Sequence, residues 1–219
     1  MSLNDKRFEK KQNLHKKVSG SVREDITVLL IEEQPMGSSL LKKALTDFGY
    51  HITKHSSFDE NIIEQIDLCN PSILILATDF PSEVIFKELA EINQLLPLPI
   101  VIFAENDSPN VIKTAIKSGV SAYVVNEILP QRLKSIISVA NERFKAVQSL
   151  RNELKQAKTQ LEGRKYIERA KGLIMQQKNI SENEAYSKLR KMAMDQGCSL
   201  AMVAKNIIDV CQLLSTSKA

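Results

Sequence analysis

The chain has no tryptophan, and aromatic residues fill only 5% of its 219 positions. Stacking platforms for nucleobases would therefore have to be sparse. Its three cysteines (Cys69, Cys198, Cys211) are an odd number without a CxxC pair, and its three histidines (His15, His51, His55) lack metal-ligand spacing. Both facts argue against a disulfide scaffold and a zinc site, and they fit a reducing cytoplasm. With 7 Gly and 7 Pro, collagen-like and low-complexity classes are excluded. No apolar run approaches the roughly 20 residues of a membrane span. The basic N-terminus is not followed by an apolar stretch, so no secretory signal is expected. No cofactor or metal is expected either.

What the chain does have is charge, unevenly placed. The net charge is +4. By segment it is +4 over residues 1–24, −7 over 25–140 and +7 over 141–219. An acidic domain joined to a basic one suggests two jobs, the basic end meeting a polyanion; solvated helix faces that differ in sign are the plainer alternative. Residues 1–24 read as a basic tail without periodicity.

Between 25 and 140, short apolar runs alternate with helical patterns. Strands are expected at Ile26–Ile31, Tyr50–Lys54, Ile73–Ala77, Ile100–Ala104 and Ala122–Val125. Helices are expected at Met36–Phe48, Phe58–Leu68, Glu83–Leu95, Pro109–Ser118 and from Pro130 onward. Wholly apolar strands alternating with helices mean a parallel five-stranded sheet covered on both faces, an α/β flavodoxin-like fold.

Glu32-Glu33 after the first strand, Pro81 after the third, and Ser118-Gly119-Val120-Ser121-Ala122-Tyr123-Val124-Val125 around the fifth resemble a response-regulator (CheY-like) receiver domain. Receivers take a phosphoryl group on an Asp ending the third strand. An acidic pair holds Mg²⁺, a Ser or Thr follows the fourth strand, and a Lys ends the fifth. The chemistry needs all four, since a carboxylate attacks, a hard cation offsets charge, and a hydroxyl and an ammonium hold the product. Aligned on Pro81, those positions hold Ala77 as acceptor, Ala104 as hydroxyl and Asn126 as lysine, while Glu32 and Glu33 keep the negative charge. The resemblance therefore implies a pseudo-receiver whose surface, not a pocket, does the work. Asp79, two residues past Ala77, lies on the same side if the strand continues and is the disfavoured alternative acceptor, because it would still lack its ammonium and hydroxyl partners.

From Pro130 to Gly163 there is no helix breaker. Leu133, Ile137, Ala140, Phe144 and Val147 follow 4-3-4-3 spacing, and Leu150, Leu154, Ala157 and Leu161 resume it after a slip. Over 131–163 the last receiver helix is expected to run on as a coiled-coil linker that makes a homodimer. A single amphipathic helix folded back on its own domain is the alternative.

Residues 164–219 read as three helices. The first spans about Arg164–Gln177, with Ile167, Ala170, Ile174 and Met175 inside. Ser181-Glu182-Asn183-Glu184 is a capping box that opens the second, with Ala185, Leu189 and Met192 inside. Gly197 ends it, and Ser199 caps a third with Leu200, Val203, Ile207, Val210 and Leu214 inside.

Arg164, Ile167, Glu168, Ala170-Lys171-Gly172-Leu173-Ile174-Met175, Ser181, Glu184-Ala185-Tyr186, Leu189-Arg190, Ala193-Met194 and Val203-Ala204 resemble the pattern of ANTAR modules. The whole arrangement (receiver, coiled coil, all-α three-helix ANTAR bundle) is similar to that of nitrate-assimilation antiterminators, with amidase regulators as the other relatives. The resemblance implies a non-enzymatic protein whose dimers bind paired stem-loops with hexanucleotide loops in a leader mRNA. Binding prevents the terminator hairpin and so affects RNA polymerase indirectly. It also implies a ligand-sensing inhibitor protein as partner. Candidate RNA contacts are Lys171, Arg190 and Lys191, supported by Arg164, Arg169 and Lys178, because loops expose base edges and phosphates to such cations. Tyr166 and Tyr186 are candidate stacking residues; core packing is the favoured role for Tyr186. A DNA-binding response regulator, an amidase-type antiterminator of a different operon and a phosphorylated scaffold are the other readings.

Overall fold

The computed structural model describes residues 26–32, 39–58, 61–125 and 129–216. The basic tail, Glu33, Asn126 and Glu127 lie outside them. The chain divides into two compact units, Met1–Lys145 and Ala146–Ala219.

The first unit contains β1 (Thr27–Glu32), α1 (Ser39–Asp47), β2 (His51–Ser56), α2 (Ile62–Cys69), β3 (Ile73–Ala77), α3 (Glu83–Leu95), β4 (Ile100–Ala104), α4 (Pro109–Lys117), β5 (Ala122–Val125) and the start of α5 (Pro130–Lys178). The strands form one sheet in the order β2-β1-β3-β4-β5, with every neighbouring pair parallel. That order is the flavodoxin-like winding, with helices on both faces.

Alternation along the strands sorts the core into two layers. Leu29, Ile31, Leu74, Leu76, Ile100 and Ile102 face one side, against Ile62 and Ile66 of α2, Phe86, Leu89 and Ile92 of α3 and Ala115 of α4. Val28, Leu30, Ile73, Ile75, Val101 and Phe103 face the other, against Leu41, Ala44 and Leu45 of α1 and Leu133, Ile137 and Ala140 of α5. The first three residues of the 4-3-4-3 row thus cover the sheet. Beyond them the row is solvent-facing, with Val147, Leu150, Leu154 and Leu161 each about half exposed.

Three expectations are displaced. Helix α2 begins at Ile62 and not at Phe58, because Asn61 caps it, its side chain accepting from the Glu64 N–H at 3.2 Å. Strand β2 runs two residues past Lys54. Gly163 does not end a helix, since α5 continues unbroken to Lys178. A β-carbon on Gly163 would stand 3.1 Å from the Ala201 Cβ, so this glycine lets two helices of the second unit approach closely.

The second unit adds α6 (Glu182–Asp195) and α7 (Leu200–Thr216) to the end of α5. Asn179 at φ 50° and Gly197 at φ 61° turn the chain between helices in the left-handed region. The core is Ala170 and Ile174 of α5, Ala185, Leu189 and Ala193 of α6, and Val203, Ala204 and Ile208 of α7. Met192 and Val210 are exposed where they were expected inside; Ala193 and Ile208 hold the inner positions instead. Leu214 lies outside the described side chains.

Candidate nucleic-acid interface

Helix α6 opens on a hydrogen-bonded cap. The Ser181 hydroxyl accepts from the Glu184 N–H at 3.4 Å, and the Glu184 carboxylate accepts from the Ser181 N–H at 2.9 Å and its hydroxyl at 2.8 Å, closing the expected capping box. The Ser181 backbone and hydroxyl donors lower the Glu184 carboxyl below its ordinary value. Ser199 likewise caps α7, its hydroxyl accepting from the Met202 N–H at 3.2 Å.

Lys171 is the buried charge of this unit, 8% exposed. Its Nζ lies 2.8 Å from Glu168 Oε2, one turn earlier on α5, and 2.6 Å from Glu182 Oε1 at the first position of α6. Hydrogen bonds to Glu168 and then to Glu182 raise its ammonium above the ordinary lysine value. The same bond lowers the Glu182 carboxyl. Sequence periodicity gave no sign of this pairing, because eleven positions across a helix end have no fixed spacing.

The other candidate contacts are placed differently. Arg164, Arg169, Lys178, Arg190 and Lys191 are all exposed, and none makes an ion pair among the described residues. Arg164, Lys171 and Lys178 recur every seventh residue on one side of α5, whereas Arg169 lies about 140° around that helix from Arg164. Arg190 and Lys191 are consecutive on α6. Tyr186, one turn before Arg190, is 43% exposed, contrary to its expected packing role, whereas Tyr166 packs against the core. The α6 surface thus presents an aromatic ring and two unpaired cations, a set suited to a base and its phosphates.

In the first unit, the strand ends place together several residues read from the sequence as receiver positions. Glu32, 2% exposed, pairs in register with Ala77, and Ala77 with Phe103, next to Ala104. Ala77 and Ala104, expected from the resemblance at the acceptor and hydroxyl positions, carry methyl groups, which can neither take nor hold a phosphoryl group. Strand β3 stops at Ala77, so the alternation that would carry Asp79 to the acceptor side does not extend to it; Asp79 is exposed on the following loop. Asn106, which the sequence reading passed over, joins the neighbouring loops. Its N–H donates to the Asp79 carbonyl at 3.1 Å, its carbonyl accepts from the Tyr123 hydroxyl at 2.9 Å, and its side-chain oxygen accepts from the Ser108 N–H at 2.9 Å. The last is an Asx turn, legible in Asn106-Asp107-Ser108-Pro109. Burial raises the Tyr123 phenol above its ordinary value.

Comparison with known proteins matches both units. The family model for the ANTAR domain matches residues 155–208. The transcriptional regulatory protein PdtaR of Mycobacterium tuberculosis is 26% identical over 182 residues, 83% of this chain and 89% of that protein. A nitrate regulatory protein of Klebsiella oxytoca is 32% identical over 77 residues, 35% of this chain but 19% of that protein. Among solved structures, a DNA-binding response regulator of the LuxR family from Staphylococcus aureus is 23% identical, covering 53% of this chain and 98% of that one with a TM-score of 0.46.

Proposed function

From a response-regulator-like chain that carries an ANTAR domain, we propose that this protein is an RNA-binding transcription antiterminator acting on paired stem-loops of a leader mRNA. The observation that carries the reading is the exposed, unpaired cation set of a matched ANTAR domain, Arg190 and Lys191 on α6 with Arg164, Arg169 and Lys178 on α5. Unpaired surface cations neutralise phosphates at no cost in broken ion pairs, and counterion release favours the complex. Base edges in a single-stranded loop supply what a duplex hides.

The solvent-facing row Val147, Leu150, Leu154 and Leu161 supports a homodimer, which would present two such modules to two hairpins. The alanines at the strand ends support control by a docked ligand-sensing protein and not by phosphoryl transfer. The likeness to a nitrate regulatory protein supports nitrate or nitrite assimilation genes as the target. Among the described residues no helix is long and apolar enough to cross a membrane.

The test is a mobility shift with the two-hairpin leader of the host's nitrate-assimilation operon, against duplex DNA of equal length, at two salt concentrations. RNA is expected to bind more tightly. Arg190→Ala should weaken it about tenfold and flatten its salt dependence by about one unit of slope. Equal or tighter binding to DNA would overturn the reading in favour of promoter recognition.

A further inference from the structure

Lys171 lies in the matched pattern and on the same side of α5 as Arg164 and Lys178, which makes it an obvious phosphate ligand. Its surroundings say otherwise. A phosphate contact has to offer its ammonium to solvent, and only 10% of the Lys171 side chain is accessible. Its Nζ is already held by two carboxylates, Glu168 and Glu182, which are themselves 69% and 65% exposed. A phosphate approaching Lys171 meets negative charge first, and it gains an ion pair only by breaking two.

The same geometry does something else well. Glu182 is the first residue of α6, and Lys171 lies two turns inside α5. Between them the chain turns through Asn179 in the left-handed region and Ile180, which packs on the core. Ser181 and Glu184 close the cap locally but bind α6 only to itself. Among the described residues, the Lys171–Glu182 bond is the ion pair that crosses the corner. It fixes the start of α6 against α5, and Tyr186, Arg190 and Lys191 follow from that start by helical repeat.

We propose that Lys171 is a positioning residue that locks α6 onto α5 through Glu182, and that it holds the Arg190–Lys191 surface in place without touching the nucleic acid. This rests on the RNA-binding reading above, and it reassigns one candidate contact within that surface.

The test compares the full-length protein with Lys171→Met, Glu182→Gln, and the reversed pair Lys171→Glu with Glu182→Lys. RNA affinity is read as a function of salt with the leader RNA above, and amide hydrogen exchange is followed over residues 182–191. A lock predicts that both single variants lose about tenfold or more in affinity with the wild-type salt slope, and that both exchange faster at the start of α6. The reversed pair keeps the attraction across the corner. It should recover most of the affinity and protection, and the like charge it sets beside Glu168 is a minor cost. A phosphate contact predicts the opposite on each arm. Glu182→Gln would free the ammonium and tighten binding, Lys171→Met would lower the salt slope by about one unit, and the reversed pair would bind worst. Any of those three results overturns the proposal. If the wild-type protein fails to bind the RNA, the antiterminator reading fails; the exchange data still decide, and unchanged protection in both single variants sinks the lock.

Discussion

In the sheet unit the interior is leucine, isoleucine and valine stacked on both faces of five strands. In the helical unit four of the eight buried core residues are alanine (Ala170, Ala185, Ala193, Ala204), and Gly163 sits where α5 meets Ala201 of α7. Alanine buries little apolar area, so the helical unit gains less from transfer out of water than its length suggests. What alanine and glycine provide is close approach, which places helix faces accurately with a thin core. The two units therefore differ in what they are built from. The first is packed by large aliphatic side chains and ends its central strands on alanines, Ala77 and Ala104. The second is lightly packed and carries exposed cations on α5 and α6.

The sharpest way to break that comparison is to remove one large side chain from each core. Leu189→Ala and Leu45→Ala each delete a fully buried leucine, a loss of about 3 kcal/mol. In the helical unit that should exceed the margin. Leu189→Ala is expected to unfold residues 182–208 while the sheet stays protected, whereas Leu45→Ala should leave both units folded at 25 °C with a lowered melting temperature. Hydrogen exchange resolved by segment distinguishes them. A single cooperative loss in both variants would mean that the units are not energetically separate.

Next in size is Gly119, at φ 96° between α4 and β5. An alanine there needs a backbone conformation L residues rarely adopt, and its β-carbon would lie 2.8 Å from Asn93 Cβ. Gly119→Ala should cost about 2 kcal/mol of sheet-unit stability in denaturant titration and leave helical-unit exchange unchanged.

These contrasts also explain which parts were readable from sequence. Strands β3, β4 and β5 and helix α3 could be drawn to the residue, because continuous apolar runs stop abruptly at polar or proline-containing segments. Strand β2, His51-Ile52-Thr53-Lys54-His55-Ser56, is an edge strand with polar residues at most positions, so its limits carry little pattern. In the helical unit the spacing identified three helices and two caps, yet it chose Met192 and Val210 for the interior. At Met192 the helices pack through alanine, and the larger neighbour one position away looks like the core residue and is not; at Val210 the inner position falls two residues earlier, on Ile208. Lys171 was legible as part of a pattern but not as a buried ion pair, because its partner lies beyond a helix end. Asn106 was missed because a loop residue that joins three backbone segments has no periodic signature.

A smaller effect, opposite in sign, belongs to the sheet unit. Gln65 is 3% exposed on α2, and among the described residues neither its amide nitrogen nor its oxygen has a hydrogen-bond partner. A buried amide without partners carries its desolvation cost uncompensated, so Gln65→Leu, similar in volume, is expected to stabilise the unit by about 1 kcal/mol. A higher denaturation midpoint at unchanged slope would show this; a lower one would mean that the amide is satisfied after all.

The corner between α5 and α6 should be sensitive to acid. Glu182 and Glu184 both have carboxyls lowered by their partners, the first by the Lys171 ammonium and the second by the Ser181 backbone and hydroxyl donors. A group whose folded value is depressed contributes stability above its unfolded value, and that contribution is lost as pH falls through the folded one. The helical unit should therefore lose stability as pH drops through and below the ordinary glutamate range. Lys171 titrates at the other extreme, where its raised value keeps the pair intact until strongly alkaline pH. Ser181→Ala removes the cap, at a cost of about 1 kcal/mol at neutral pH, and takes away the hydroxyl donor to Glu184 while leaving the backbone N–H donor in place. Its acid profile should be shallower than that of the wild type, and Glu182→Gln should flatten it further. Because both carboxylates are exposed, salt should weaken the slope as well. Exchange at the α6 amides, measured at two acidic pH values in each variant, reads all three effects, and a slope unchanged by either substitution would remove these carboxylates as its cause.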